Sequence, residues 1–135
     1  MPRVRVTRQL HFAAGHQLSN PGFTPEENRR VFGKCYNYHG HNYDLEVTVE
    51  GEVDAETGYV IDLGELKELV NEHVVSDLDH QNLNDGVTWM AGINPTAENL
   101  AIHIWRRLEE RLGDLQLVAV KLWETPRNLA EYRGE

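Results

Sequence analysis

Histidine spacing is the feature of this sequence that most directly indicates chemistry. His39 and His41 stand two residues apart in the segment His39-Gly40-His41. Side chains two residues apart in an extended chain lie on the same side, so both imidazoles could contact one ion. Imidazole nitrogen is a good ligand for Zn²⁺, and a catalytic zinc site combines three protein ligands with one open position. The pair alone is a weak signal, because His-x-His segments are common.

Alternation along two strands adds a third histidine to this pair. In a first strand from about Arg3 to His16, the apolar residues occupy even positions, and His16 continues that series. In a second strand the apolar residues occupy odd positions, and His39 and His41 belong to that series, which is Tyr43, Leu45, Val47 and Val49. If both strands stay regular and pair as a hairpin, the three imidazoles meet at one rim of the apolar face, whereas a β-bulge would reverse the parity. The pattern predicts a metal site at His16, His39 and His41.

The remaining histidines and the single cysteine divide into two groups. We interpret His11, His73 and His103 as surface or packing residues, because none of them continues the apolar series toward that rim. Cys35 lies four residues before His39, and a thiol near a metal and Lys34 would have a low pKa and could act as a base or nucleophile. The alternative is that Cys35 is a small buried hydrophobic residue.

Three carboxylates and a threonine complete the set of candidate site residues. In Asp79-His80, a carboxylate beside an imidazole could form a general acid/base pair, although Asp79 could also be a turn residue. Glu124 ends an apolar strand and could accept two parallel hydrogen bonds from a ligand, or pair with Arg127. In the first turn of a predicted helix, two residues could bind a ligand or merely cap the helix: Thr96 and Glu98.

The elements that must position these residues can be read from periodicity. We predict a helix from Asp62 to about Leu78, with Asp62 and Glu65 as a capping box, and a second helix from Asn94-Pro95-Thr96 to Gly113. Two strands follow, from about Leu115 to Glu124 and from Leu129 to Arg133, and the segment from Ser19 to Arg30 is predicted to be a loop. The order ββααββ predicts an α+β fold with both helices on one face of a four-stranded antiparallel sheet. Its open edges favour oligomerisation.

Length and charge restrict the class of protein. The 135 residues fit one domain, and a net charge of −9 disfavours nucleic acid and anionic membrane as partners. One cysteine excludes an internal disulfide, and the chain contains neither an apolar leader segment nor a membrane-spanning run. We therefore expect a cytoplasmic protein.

Five segments in register resemble the 6-pyruvoyltetrahydropterin synthase family, which includes the 6-carboxytetrahydropterin synthases of queuosine biosynthesis. They run across nearly the whole chain: Phe12-Ala-Ala-Gly-His16, Phe32-Gly-Lys-Cys-Tyr-Asn-Tyr-His-Gly-His-Asn-Tyr43, Leu78-Asp-His-Gln-Asn-Leu83, Asn94-Pro-Thr-Ala-Glu-Asn-Leu100 and Trp123-Glu-Thr125. The resemblance implies the tunnelling fold, in which ββααββ units assemble into barrels, usually as a hexamer of two trimers. It also implies a zinc-dependent lyase that eliminates triphosphate from 7,8-dihydroneopterin triphosphate.

The resemblance further implies a role for each candidate residue. His16, His39 and His41 would bind Zn²⁺, which would coordinate the side-chain hydroxyls of the substrate. The proton-transfer groups would be Cys35, Asp79 and His80, at a subunit boundary, and the pterin would be held by Glu124 with Thr96 and Glu98. The short spacing from Cys35 to His39 is closer to the queuosine-type enzymes, with a 6-carboxy product, and we prefer that product because it would be the commoner role in a bacterium. The tail from Glu124 to Tyr132 is closer to the biopterin-type, with a 6-pyruvoyl product.

Two other functions remain compatible with the same residues. A different zinc enzyme on this fold, such as a hydrolase, would need the three histidines but not Cys35. A metal-binding or thiol-sensing module would have a closed site in which Cys35 is a fourth ligand.

Overall fold

A single five-stranded sheet, in the spatial order β3-β1-β2-β4-β5, forms the framework of the computed structural model, which describes residues 2–135. All neighbouring strands are antiparallel except β3, which runs parallel to β1. The four predicted strands are confirmed, and the short β3 enlarges the predicted four-stranded sheet. The strands are β1 (Arg3–His16), β2 (His39–Glu52), β3 (Gln81–Asn82), β4 (Gln116–Thr125) and β5 (Asn128–Tyr132).

The first predicted long helix is present but is not regular. It consists of α2 (Leu63–Val70), a π-helical turn (Asn71–Val75) and α3 (Ser76–Leu78). Asp62 is the N-cap residue, as predicted, but its side chain makes no capping hydrogen bond, so the predicted capping box with Glu65 is wrong. The inserted π turn is the type of irregularity that often lies near functional sites.

The second long helix, α4 (Ala97–Leu108), starts as predicted but ends five residues before Gly113. Thr96 is its N-cap, and its hydroxyl accepts a hydrogen bond from the backbone N–H of Asn99 at 3.1 Å. After Leu108 the chain tightens into two turns that bring Leu112 back to the core. Gly113, with φ of 60°, serves the second of these turns instead of the helix end.

One predicted loop is partly helical. The segment from Ser19 to Arg30 contains the start of α1 (Pro25–Phe32), which the proline and glycine content of the region does not predict. Thr24 caps this helix, accepting from the backbone N–H of Glu27 at 3.2 Å, and Pro25 occupies the first turn. This is the S/T-x-x-E capping box with proline at the start of a helix, a stronger local signal than the punctuation around it.

The predicted alternation of β1 and β2 is confirmed and determines where the core lies. From Leu10 onward the even side chains of β1, and from Tyr43 onward the odd side chains of β2, are buried against the helices. Phe12 stacks on Tyr43, its partner in register, at 4.8 Å between ring centroids. The β1–β2 pairing has no bulge, so parity is preserved up to the strand ends. Within residues 2–135, no helix is long and apolar enough to cross a membrane.

Candidate metal centre and adjacent clefts

Three imidazoles converge at the rim of the sheet where β1 ends and β2 begins. In the β1–β2 register His16 lies opposite His39, and His41 lies opposite Ala14, two residues further from the rim. The centroid separations are 4.6 Å for His16–His39, 5.2 Å for His16–His41 and 4.9 Å for His39–His41. One ligating atom from each ring lies within 4.8 Å of the other two. The three residues could therefore hold one metal ion, as the alternation predicts.

Hydrogen bonds to backbone carbonyls determine which nitrogen each of two rings presents to the centre. His16 Nδ1 lies 2.8 Å from the Pro95 carbonyl oxygen, and His39 Nδ1 lies 2.7 Å from that of Asn37. A carbonyl oxygen only accepts, so each Nδ1 carries the hydrogen and each Nε2 carries a lone pair. These two Nε2 atoms are 3.0 Å apart. Two facing lone pairs at that distance repel unless a proton or a metal cation lies between them.

The chemistry of the third ring fits the same cation. His41 Nε2 is buried and has no hydrogen-bond partner in the described part of the chain, a costly state for a polar atom. Burial lowers the pKa of His16 and of His41, which favours the neutral imidazole that binds metals. An all-nitrogen donor set from neutral histidines suits Zn²⁺. The residues present therefore fit a zinc ion.

The Asp79–His80 pair is formed, and an unusual backbone conformation makes it possible. His80 has φ of 62°, and its backbone N–H donates to the Ala13 carbonyl at 2.6 Å. This turn brings His80 Nδ1 to 3.0 Å from Asp79 Oδ2, although the residues are adjacent in sequence. A positive φ is costly for a residue other than glycine and often marks a functional site.

Asp79 is held from its other side by β1. Its Oδ1 accepts from the backbone N–H of Ala13 at 2.9 Å, and this bond is the main cause of the lowered pKa of the Asp79 carboxyl. The ionised carboxylate fixes the hydrogen of His80 on Nδ1 and leaves Nε2 free. Because β3 pairs with β1 at Ala14, His80 reaches the cleft of about 660 Å³ that also contains His39 and His41. We call this cavity the histidine cleft; it is lined by residues 13–15, 38–42 and 80–82.

Glu124 lies between the three histidines and a second cavity. Its Oε1 is 3.7 Å from His41 Nε2, whereas no ion pair joins it to Arg127 anywhere in residues 2–135. Thr96 and Glu98 line a cleft of about 580 Å³ together with Glu124, so the structure groups the three predicted ligand-binding residues. We call this cavity the α4 cleft; it is lined by Leu18, Glu124, β5 and residues 96–98, 101 and 102. The capping role of Thr96 is also present, and one residue can serve both.

Cys35 is separate from the cluster of ligating atoms. It lies half-buried in a 3-10 turn (Gly33–Tyr36), and its carbonyl accepts from the backbone N–H of Leu18 at 2.8 Å, two residues after His16. The group of ligating atoms within 4.8 Å of one another consists of histidines alone and does not include the Cys35 sulfur. The geometry therefore gives no support to a closed site with four protein ligands.

Some contributors to the site carry no signal in the sequence. Main-chain carbonyls at Asn37 and Pro95 orient two of the rings, and any residue could supply them. Tyr38, which is 63% exposed, lines the histidine cleft. Tyr43 is fully buried beneath the rings, with its hydroxyl 3.5 Å from His16 Nδ1, and burial raises the pKa of this phenol. Its odd position in β2 predicts burial but not contact with His16.

The sheet, the helices on one face and the histidines at its rim define an α+β protein of the tunnelling fold with a candidate metal centre. The family model for 6-pyruvoyl tetrahydropterin synthase matches residues 5–135, and the chain belongs to that family. The resemblance inferred from the five motifs is thus confirmed.

Individual relatives agree with this assignment over nearly the whole chain. The 6-pyruvoyl tetrahydrobiopterin synthase of Dictyostelium discoideum is 44% identical over 132 residues, covering 98% of this chain and 97% of the relative. A more distant relative, the 6-carboxy-5,6,7,8-tetrahydropterin synthase of Rickettsia bellii, is 29% identical over 147 residues, covering 95% of this chain and 99% of the relative. The solved 6-pyruvoyl tetrahydropterin synthase of Caenorhabditis elegans superposes with a TM-score of 0.92 at 37% identity, covering 100% of this chain and 98% of that structure.

Proposed function

We propose that this protein is a zinc-dependent lyase that eliminates triphosphate from 7,8-dihydroneopterin triphosphate. The observation that carries the proposal is the convergence of three imidazoles at the rim of the sheet, beside a cleft that is also lined by His80 of the Asp79–His80 pair. Membership of a family of tetrahydropterin synthases supports the pterin substrate.

His16, His39 and His41 would hold the zinc ion through the nitrogens that face one another. When bound, Zn²⁺ supplies a Lewis acid that polarises the substrate's side-chain hydroxyl oxygens and so acidifies the adjacent C–H bonds. Three protein ligands leave a position for those oxygens, consistent with a catalytic rather than a structural site. The carbonyls of Asn37 and Pro95 keep the rings of His39 and His16 in the tautomer that binds metal.

Proton transfer would be divided between Cys35 and His80. The free Nε2 of His80 opens to the histidine cleft, while Asp79 fixes the ring and stabilises its protonated form. Cys35 would remove a proton from the substrate side chain as the thiolate. The half-buried position of Cys35, tethered to the segment after His16, supports this role.

The pterin ring would bind in the α4 cleft. Glu124 is the penultimate residue of β4, and its carboxylate makes no hydrogen bond within residues 2–135, so both oxygens can accept from the 2-amino and N3 groups of a pterin. Thr96 and Glu98 line the same cavity and would contribute further contacts. One substrate molecule would then occupy both places, with its pterin ring in the α4 cleft and its side chain over the three histidines.

Assembly with other copies would complete the site. The outer edge of β1 is unpaired from residue 3 to residue 12, the edge of β5 is open, and the His80 side chain is 83% exposed. Such edges are commonly closed by pairing with another chain. We expect the hexamer of two trimers implied by the family resemblance, working in the cytoplasm without nucleic acid or membrane partners.

Two observations point to different products. The short spacing from Cys35 to His39 favours 6-carboxy-5,6,7,8-tetrahydropterin. The relatives that are 41–44% identical over 96–98% of this chain are named 6-pyruvoyl tetrahydrobiopterin synthase, and they favour 6-pyruvoyltetrahydropterin. Release of triphosphate is common to both outcomes, so the lyase step does not depend on this choice.

The test is incubation of zinc-loaded protein with 7,8-dihydroneopterin triphosphate. We expect stoichiometric release of triphosphate, and product mass measured with and without a reductant distinguishes the pyruvoyl from the carboxy product. Cys35→Ala is expected to abolish release while zinc remains bound. Turnover that survives Cys35→Ala would favour a zinc hydrolase, and no triphosphate release by the native protein would refute the proposal.

A further inference from the structure

Glu124 lies between the α4 cleft and the three histidines. Its carboxylate lines the α4 cleft, and the same group lies 3.7 Å from the orphaned Nε2 of His41. Both side chains are about one-fifth exposed, so solvent screens this contact only partly. A charge at this position therefore acts on a cation held by the histidines and on a ligand held in the cleft.

A second contact joins the same two places through the backbone. His16 Nδ1 donates to the carbonyl of Pro95, and the next residue, Thr96, lines the α4 cleft and caps α4. Two hydrogen bonds to Asn94 hold the segment from residue 94 to residue 96 in place. The side-chain oxygen of Asn94 accepts from the Ser19 N–H at 3.1 Å, and the main-chain carbonyl of Asn94 accepts from the Asn99 side chain at 2.9 Å. Fixing the His16 ring on a metal consequently also fixes one wall of the cleft.

We infer that metal binding at the three histidines and pterin binding in the α4 cleft are positively coupled, with Glu124 carrying most of the coupling. A cation on His41 attracts the Glu124 carboxylate and holds it in one orientation, ready to accept two N–H donors. A pterin on Glu124 in turn replaces water around the carboxylate and strengthens its field at the metal. Linkage requires the effect to be equal in both directions.

This inference rests on the proposed function for the identity of both ligands, but its test is independent of turnover. The probe is pterin without a side chain, which has no hydroxyl groups to bind the metal. We expect saturating pterin to lower the dissociation constant of zinc by about tenfold, within the usual range of coupling between sites. Zinc affinity is measured by competition with a chromophoric chelator, and pterin affinity by its fluorescence, with and without zinc.

A pair of variants assigns the coupling to one residue. Glu124→Gln keeps the shape of the side chain and removes its charge, and we expect it to weaken zinc binding by about tenfold and to abolish the effect of pterin. Asp44→Asn is the control, because Asp44 is an exposed carboxylate that lies opposite Trp123, next to Glu124 in sequence, but lines neither cleft. It should retain the native zinc affinity and the coupling.

Three results would overturn the inference. The first is an unchanged zinc affinity in the native protein when pterin is added. The second is weaker zinc binding with pterin, which would mean that Glu124 ligates the metal and the two compete. The third is an equal loss of affinity in both variants, which would reduce the effect to net charge. If any of these occurs while triphosphate release persists, the coupling is wrong and the proposed function stands.

Discussion

Replacing Asp79 by asparagine separates its catalytic role from its structural one. The amide oxygen of Asp79→Asn can still accept from the Ala13 N–H, the bond that ties the residue to β1 at 2.9 Å. The amide nitrogen then faces His80 Nδ1, where Oδ2 now lies at 3.0 Å. Two N–H donors cannot face each other, so His80 must move its hydrogen to Nε2 or turn away, and the free Nε2 lone pair is lost.

Asp79→Asn should lower kcat strongly but change the free energy of unfolding only slightly. Loss of a correctly oriented general acid/base lowers kcat by about 10²- to 10⁴-fold. Because the Ala13 bond is retained and the side chain is 40% exposed, the free energy of unfolding should change by no more than about 1 kcal/mol. Triphosphate release measures the first quantity, and urea denaturation of the zinc-loaded protein measures the second.

Asp85→Asn is the matched control for this variant. Asp85 is exposed in the turn that follows β3, close in sequence to the pair, and its replacement should leave both kcat and stability unchanged. If Asp79→Asn kept kcat within about threefold of the native value, Asp79 would be a turn residue only, and the proposed acid/base pair would be refuted.

Four further outcomes follow from the structure. His80→Gly removes an exposed side chain at φ of 62°, a backbone conformation that glycine adopts without strain. It should raise the unfolding free energy by up to about 1 kcal/mol and abolish triphosphate release. A lower unfolding free energy in a denaturation experiment would contradict this prediction. Cys35→Ala should bind zinc stoichiometrically by metal analysis yet release no triphosphate, whereas loss of zinc would make Cys35 a ligand. Leu100→Ala, at a fully buried position of α4, should lower the unfolding free energy by about 2–5 kcal/mol in urea, and a smaller loss would mean that the core relaxes there. In the metal-free protein, burial lowers the pKa of His16 and of His41. Below the ordinary histidine pKa of about 6.5, the unfolded chain therefore binds more protons than the folded protein, and the unfolding free energy should fall as the pH decreases. An unfolding free energy that stays constant from about pH 5 to 8 would contradict this prediction.

The convergence of the three histidines was predictable because their positions follow from strand periodicity. One unbroken hairpin register carries His16, His39 and His41 to the same face, and alternation of apolar residues reveals that face in the sequence. The ββααββ order was accessible for a similar reason, since helical and strand periods alternate clearly along most of the chain, and the family resemblance identified this order as the tunnelling fold. Periodicity is local, and a regular strand transmits it without loss.

Other parts of the site depend on contacts that periodicity does not encode. The φ of His80 and the parallel pairing of β3 arise from tertiary contacts with Ala13 and Ala14, about 66 residues away in sequence, and no local pattern specifies them. The proximity of Glu124 to His41 depends on the register between β2 and β4. This register cannot be read from the strand ends that the sequence predicts. The helix after Thr24 could have been predicted from its capping box, but proline and glycine in the surrounding segment outweighed that signal.

X-ray absorption spectroscopy of the zinc-loaded protein tests the central claim most directly, because it counts and identifies the atoms around the metal. We predict three imidazole nitrogens from His16, His39 and His41, completed by oxygen and without sulfur, and the loss of bound zinc in His39→Ala. A sulfur ligand, or fewer than three imidazoles with zinc retained in His39→Ala, would contradict it.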